Sequence, residues 1–132
     1  MRFLKRIFEW MFGSRKPSPT WWQVILWWEI RRIPYNLIVG GWGIVCLIVY
    51  LVAIGNSGHL KPGEDAIEPM AILAAPFLIN ACYTLGWLVE LPLRRLLPGW
   101  RERIGPTLMK LGVAASLLGV TLPAAIWVLF PG

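Results

Sequence analysis

Residues Ile33–Leu60 read IPYNLIVGGWGIVCLIVYLVAIGNSGHL, 28 positions without a lysine, arginine, aspartate or glutamate. Two further stretches share this property: Pro69–Val89, PMAILAAPFLINACYTLGWLV, and Leu111–Gly132, LGVAASLLGVTLPAAIWVLFPG. A helix rises about 1.5 Å per residue, so each stretch is long enough to cross a hydrocarbon core of about 30 Å. The 132 residues are 57% hydrophobic and 15% charged, whereas soluble domains carry about 25% charged residues. A soluble chain of this size cannot bury three such segments. The fold class that follows is an all-α membrane protein with three transmembrane helices. Crossing the bilayer three times leaves no length for a separate soluble catalytic domain.

The remaining charges give an orientation. Arg2, Lys5, Arg6, Arg15, Lys16, Arg31 and Arg32 precede span one, and Arg94, Arg95, Arg101, Arg103 and Lys110 lie between spans two and three. Only Lys61, beside Glu64, Asp65 and Glu68, falls in the connection between spans one and two. Twelve of the 13 basic residues therefore collect on one side. The positive-inside rule makes that side cytoplasmic, with the C-terminus outside. The net charge of +6 then marks contact with an anionic leaflet rather than with nucleic acid. Lys5, Arg6 and Glu9 interrupt the N-terminal apolar run, which does not read as a signal peptide.

Upstream of the spans, RFLKRIFEWMF at 2–12 places Phe3, Leu4, Ile7, Phe8, Trp10, Met11 and Phe12 on one broad helical arc and its charges on the other. That pattern belongs to a helix lying in the interface plane. A polar turn, Gly13–Pro19, leads to TWWQVILWWEIRRI at 20–33, where four of the nine tryptophans crowd into eight positions. This stretch reads as a second interfacial helix, capped by Thr20 and ended by Pro34, because proline disfavours helix at the residue before it. The expected organisation is thus cytoplasmic interfacial helices over 1–33 and a three-span bundle over 34–132, with spans at about 35–54, 70–91 and 110–130. The stretch after Pro92, LRRLLPGWRERIGPTLMK, reads as a basic surface loop.

Within the spans, small and polar residues predict the helix contacts. Gly40 and Gly43 in span one, and Gly112, Ser116 and Gly119 in span three, form seams of the kind that lets helix backbones approach closely. Span two carries Asn80, Tyr83, Thr84, Trp87 and Glu90 within an arc of about 120°. Polar groups in hydrocarbon face protein or a water-filled cavity, so this stripe does not look at lipid. Asn80, Tyr83 and Thr84 are expected to join helices. Glu90 is placed to pair with Arg94 at i+4 or with Arg31 or Arg32 of the neighbouring helix. Glu29 pairs with Arg32 at i+3. Span one starts where span two ends, so Glu29, Arg31, Arg32, Asn36 and Glu90 are expected to form one polar cluster roofed by Trp28 and Trp87, which fixes the helix crossing and holds a lipid headgroup.

Cys46 and Cys82 lie in mid-span and read as packing residues. His59 stands alone, and no metal, cofactor or catalytic set is expected.

Two resemblances bear on the reading. The layout, with a surface helix, three spans and an inside N-terminus, is similar to that of the small bacterial diacylglycerol kinases, and KLGVAA at 110–115 looks like the start of their third span. Their second span carries an E-x-x-N-S-A-x-E motif that binds magnesium–ATP, and NACYTLGWLVE at 80–90 does not supply it. The chain more closely resembles a group of small uncharacterised bacterial inner-membrane proteins. These have W-W-E-x-R-R-x-x-Y-N-L leading into span one, here Trp27–Leu37, and Y-T-L-G-W in span two, here Tyr83–Trp87. That resemblance implies location and architecture without an activity, and it singles out Trp28, Glu29, Arg31, Arg32, Tyr35, Asn36, Tyr83, Gly86, Trp87 and Glu90. The resulting expectation is a non-enzymatic accessory or scaffold protein. Its partners would be the bilayer, anionic headgroups, and either further copies or a larger membrane complex. The alternative is a homo-oligomeric transporter or channel using the polar face of span two, and a more distant one is a lipid-kinase-like enzyme.

Overall fold

The computed structural model describes residues 2–13, 20–58 and 69–130. The polar turn after Gly13 and the connection holding His59, Lys61, Glu64, Asp65 and Glu68 lie outside these residues. Four helices are present: α1 (Arg2–Phe12), α2 (Trp21–Ser57), α3 (Pro69–Leu96) and α4 (Arg101–Leu129). The described residues contain no strand. The second, third and fourth helices are each long and apolar enough to cross a membrane, and the chain is a multi-pass membrane protein.

Pro34 does not end a helix. The expected separate helix over 20–33 and span over 35–54 are one α-helix of 37 residues, with Pro34 inside it, about 55 Å long. The reason is the buried face. Val24, Trp28, Arg31, Tyr35, Val39 and Cys46 are all buried, at spacings of three, four and seven that keep one stripe inward across the proline. A break at Ile33 would rotate Tyr35 and Val39 away from the partners that Trp28 reaches. Local preference yields to that packing, as it can in a membrane, where unwound backbone has no water to turn to. At the start of α2, the Thr20 amide donates to Gln23 Oε1 at 3.0 Å. At its end, Gly58 takes the left-handed conformation (φ 65°) that glycine adopts without strain.

The expected basic loop after Pro92 is also mostly helix. α3 continues through Pro92 to Leu96, a single 3₁₀ turn spans Pro98–Trp100, and α4 begins at Arg101, well before the expected start of span three. Arg101 Nε donates to the Arg94 carbonyl at 2.9 Å, taking up one of the carbonyls that every helix end leaves free. α3 and α4 are therefore a tight hairpin, in which Ile104, Gly105 and Pro106 of α4 are buried.

α4 makes its widest contact with α2, and α1 rests on α4. The core gathers at the end where the basic residues lie: Met11, Val24, Trp28, Tyr35, Val39, Tyr83, Met109 and Val113. Farther up, Trp42 Nε1 donates to Thr121 Oγ1 at 2.8 Å and Tyr50 meets Trp127 edge-on.

The expected glycine seams are not where the helices close. A Cβ at Gly40, Gly112 or Gly119 would meet nothing within 4 Å, and one at Gly43 only Val120 Cγ1 at 4.0 Å. Gly40, Gly43 and Gly119 instead line a crevice of about 600 Å³ between the three long helices. The close approach is at Gly86, where a Cβ would lie 2.5 and 2.7 Å from Cη2 and Cζ3 of the Trp28 ring. That ring is buried and has no flexible end to move aside. Gly86→Val should thus lower the melting temperature, overpacking of this kind costing about 1–3 kcal/mol, while Gly112→Val should leave it unchanged. Thermal unfolding followed by circular dichroism in detergent checks both, and equal effects at the two glycines would refute the assignment.

Candidate functional site

The described carboxylate with least access to solvent is Glu90, which is 0% exposed. It sits on the last apolar turns of α3, directly after the charge-free stretch Pro69–Val89. Trp28 Nε1 donates to its Oε2 at 2.6 Å, and Arg94 Nη1, one turn on, donates to its Oε1 at 3.3 Å. Both carboxylate oxygens are thereby engaged, and the charge is balanced by a guanidinium that is itself buried. An indole can deliver this bond only with its ring flat against α3, which is the space the missing side chain of Gly86 provides. Tyr83 completes the joint from the other direction, its hydroxyl donating to the Trp28 carbonyl at 2.5 Å, with the two rings edge-on. Tyr35 packs on Tyr83 and shares a 2.7 Å hydrogen bond with Ser116, which brings in α4.

A second set lies beside the first. The side-chain amides of Asn36 and Asn80 bond reciprocally at 3.0 and 2.9 Å, and the Asn80 amide also donates to the Pro76 carbonyl. One turn toward the basic end, Arg32 Nη2 donates to Thr84 Oγ1 at 3.0 Å and to Glu29 Oε1 at 2.7 Å. Its guanidinium also lies over the Tyr83 ring. The helices run antiparallel here, as the pairing of Asn36 with Asn80 and of Arg32 with Thr84 shows. Arg32 Nε and Trp87 Nε1 are buried donors with no partner among the described residues.

Arg31 belongs to neither set. Successive residues of a helix point about 100° apart, so Arg31 turns away from α3 and toward α1. Its guanidinium is stacked between the rings of Trp10 and Trp27, 4.2 and 4.1 Å from their centroids. It donates to the carbonyls of Trp10 (3.1 and 2.5 Å), Met11 (3.3 Å) and Trp27 (3.1 Å). Those of Trp10 and Met11 are terminal carbonyls of α1, where a cation is favoured by both hydrogen bonding and the helix dipole.

The single cluster expected from sequence is therefore three arrangements. Trp28 and Glu90 meet directly; Glu29, Arg32 and Asn36 form the α2–α3 edge with Thr84 and Asn80; Arg31 clamps α1. Trp87 packs against the core, and its ring nitrogen bonds none of them. Sequence reasoning passed over Trp10, Trp27 and the seating role of Gly86. Gly86 had a signal, since it is the lone glycine of α3 and one helical turn from Glu90. Trp10 had none, because nothing in the sequence tells which of the seven apolar residues of that helix turns back to the bundle. Among the described residues no group of three or more His, Cys, Asp or Glu could hold a metal ion. Compared with known protein families, characterised proteins and solved structures, the chain matches none.

Removing one member of a buried ion pair strands the other, at a cost of about 3–5 kcal/mol, whereas replacing both by apolar groups is often nearly neutral. Glu90→Leu should accordingly unfold the bundle at a much lower temperature, and adding Arg94→Leu should recover part of the loss. A double-mutant cycle by thermal melts in detergent reads this directly. Strictly additive effects would show that the two side chains are not coupled.

Proposed function

We propose that this chain is a small non-enzymatic scaffold of the bacterial inner membrane, with its N-terminus and basic end in the cytoplasm and its C-terminus outside. It packs against further copies or a larger membrane complex and binds anionic lipid headgroups at the basic end. The observation that carries the reading is the engagement of the α3 stripe. Asn80, Tyr83, Thr84 and Glu90 all bond to α2 or to their own helix, so these side chains serve to join helices instead of lining a pathway. The W-W-E-x-R-R and Y-T-L-G-W patterns, similar to those of small inner-membrane proteins, support the location.

Headgroup binding rests on cations that the fold leaves outside. Arg31 and Arg94 are buried and bonded within the protein, whereas Arg2, Lys5, Arg6, Arg95 and Arg103 are exposed. α1 carries three of them opposite an exposed aromatic face, the composition of a helix that lies at an anionic interface.

Each basic residue near an anionic surface contributes about 1 kcal/mol. Arg95→Gln with Arg103→Gln should then weaken retention of phosphatidylglycerol by about 2 kcal/mol, with the melting temperature unchanged. Native mass spectrometry on protein extracted from mixed phosphatidylglycerol and phosphatidylcholine vesicles makes the measurement. Equal retention of the two lipids would overturn headgroup selectivity, and ion flux through the same vesicles would replace the scaffold by the channel alternative.

A further inference from the structure

The basic end of the bundle is apolar on several flanks at once. On α2, Trp22, Leu26, Ile30 and Ile33 are exposed and continue one stripe that reaches Leu51. At about 1.5 Å per residue this stripe is about 44 Å long, against a hydrocarbon core of about 30 Å. Arg31 points to the other side of α2, and there α1 is fixed with Phe3, Leu4 and Phe8 outward and only Met11 buried. The α3–α4 hairpin supplies the third flank, where Leu96, Leu97 and Trp100 are exposed. Phe8, Leu26 and Trp100, one from each flank, are 60%, 59% and 60% exposed.

Covering three separate flanks with protein would take more than one partner contact, whereas an apolar medium covers them all at once. A surface that is apolar on three flanks calls for a surrounding apolar medium, and the exposed cations among these side chains give it a sign. From this we infer that α1, the first three turns of α2 and the α3–α4 hairpin form a rigid collar, embedded in one anionic leaflet down to the boundary between headgroups and acyl chains. The inference rests on the membrane-scaffold reading above and adds a shape to it, since the chain is wider in one leaflet than in the other. Arg31 makes the collar rigid. Stacked between Trp10 of α1 and Trp27 of α2 and bonded to the end of α1, it holds that helix as a part of the bundle. An amphipathic helix on a free tether would instead leave and rejoin the surface on its own. The over-long stripe of α2 is accommodated in the same way, by lying partly in the interface where tryptophan is favoured.

Site-directed spin labelling of the full chain tests this in vesicles of phosphatidylethanolamine and phosphatidylglycerol. With Cys46 and Cys82 replaced by alanine, a nitroxide is placed in turn at Phe8→Cys, Leu26→Cys and Trp100→Cys, with Lys5→Cys as the aqueous reference. Relaxation by oxygen should dominate over relaxation by a water-soluble nickel chelate at all three positions, several-fold more than at Lys5→Cys. Nickel dominance at any of the three, or protection from both reagents on one flank, would overturn the collar in favour of water or a protein partner there. Arg31→Gln should then sharpen the Phe8→Cys spectrum and raise its nickel accessibility while leaving Leu26→Cys as it was. If Arg31→Gln fails to fold, Trp10→Ala removes one side of the same stack. An unchanged Phe8→Cys spectrum in the folded variant would refute the clamp. Loss of phosphatidylglycerol selectivity with all three depths intact would overturn the headgroup reading alone.

Discussion

A carboxylate shut off from water dictates its surroundings, and Glu90 does so here. In an apolar medium an ionised group is tolerated only when its charge is paired and its lone pairs are met. Arg94 brings the charge and Trp28 the second donor, and each requirement propagates. The indole must lie against α3, so position 86 carries no side chain. The Trp28 backbone must be held in place, which Tyr83 does through the carbonyl. The Tyr83 ring in turn packs on Tyr35, whose hydroxyl reaches α4. One buried acid thereby fixes the relative positions of three helices near one end.

The far half of the bundle is organised differently. Beyond the Asn36–Asn80 pair the crevice lined by Gly40, Gly43 and Gly119 opens between the long helices. There α2 and α4 stay together through Trp42, Thr121, Tyr50 and Trp127. The described contacts are therefore graded along the molecule, from the interlocked bonds of Glu90, Tyr83 and Arg32 where the basic residues are to single ring and hydroxyl contacts between α2 and α4 farther up. Such a gradient suits a medium in which apolar burial offers no advantage of protein over lipid, so that hydrogen bonds and close backbone approach decide which helices meet.

The three spans were legible because absence of charge over more than twenty residues has one physical meaning. The helix ends were not. Proline at 34 and 92 predicts breaks, and none occurs, because the buried faces that continue past each proline outweigh local preference. The pairing of Glu90 with Arg94 follows from spacing on one helix; its bond to Trp28, 62 residues away, depends on how two helices rotate about their axes, which spacing does not give. Arg31 and Arg32 look equivalent in sequence but are separated by one residue of helical rotation, and so serve different partners. The glycines misled for a related reason. A small residue permits close approach without enforcing it, and it is Gly86, never counted as a seam, that faces a ring.

The proximity of Arg94 to Glu90 has a consequence for biogenesis. A membrane chain is delivered from its N-terminus, and an acidic side chain that enters the bilayer before its partner is costly to hold there. Glu90 arrives with its counter-charge four residues behind it on the same helix, and with Trp28 already in place on α2. Neither contact waits for α4. The joint that orients the molecule can close when α3 has been made, so that α4 is threaded against a pair of helices already in register.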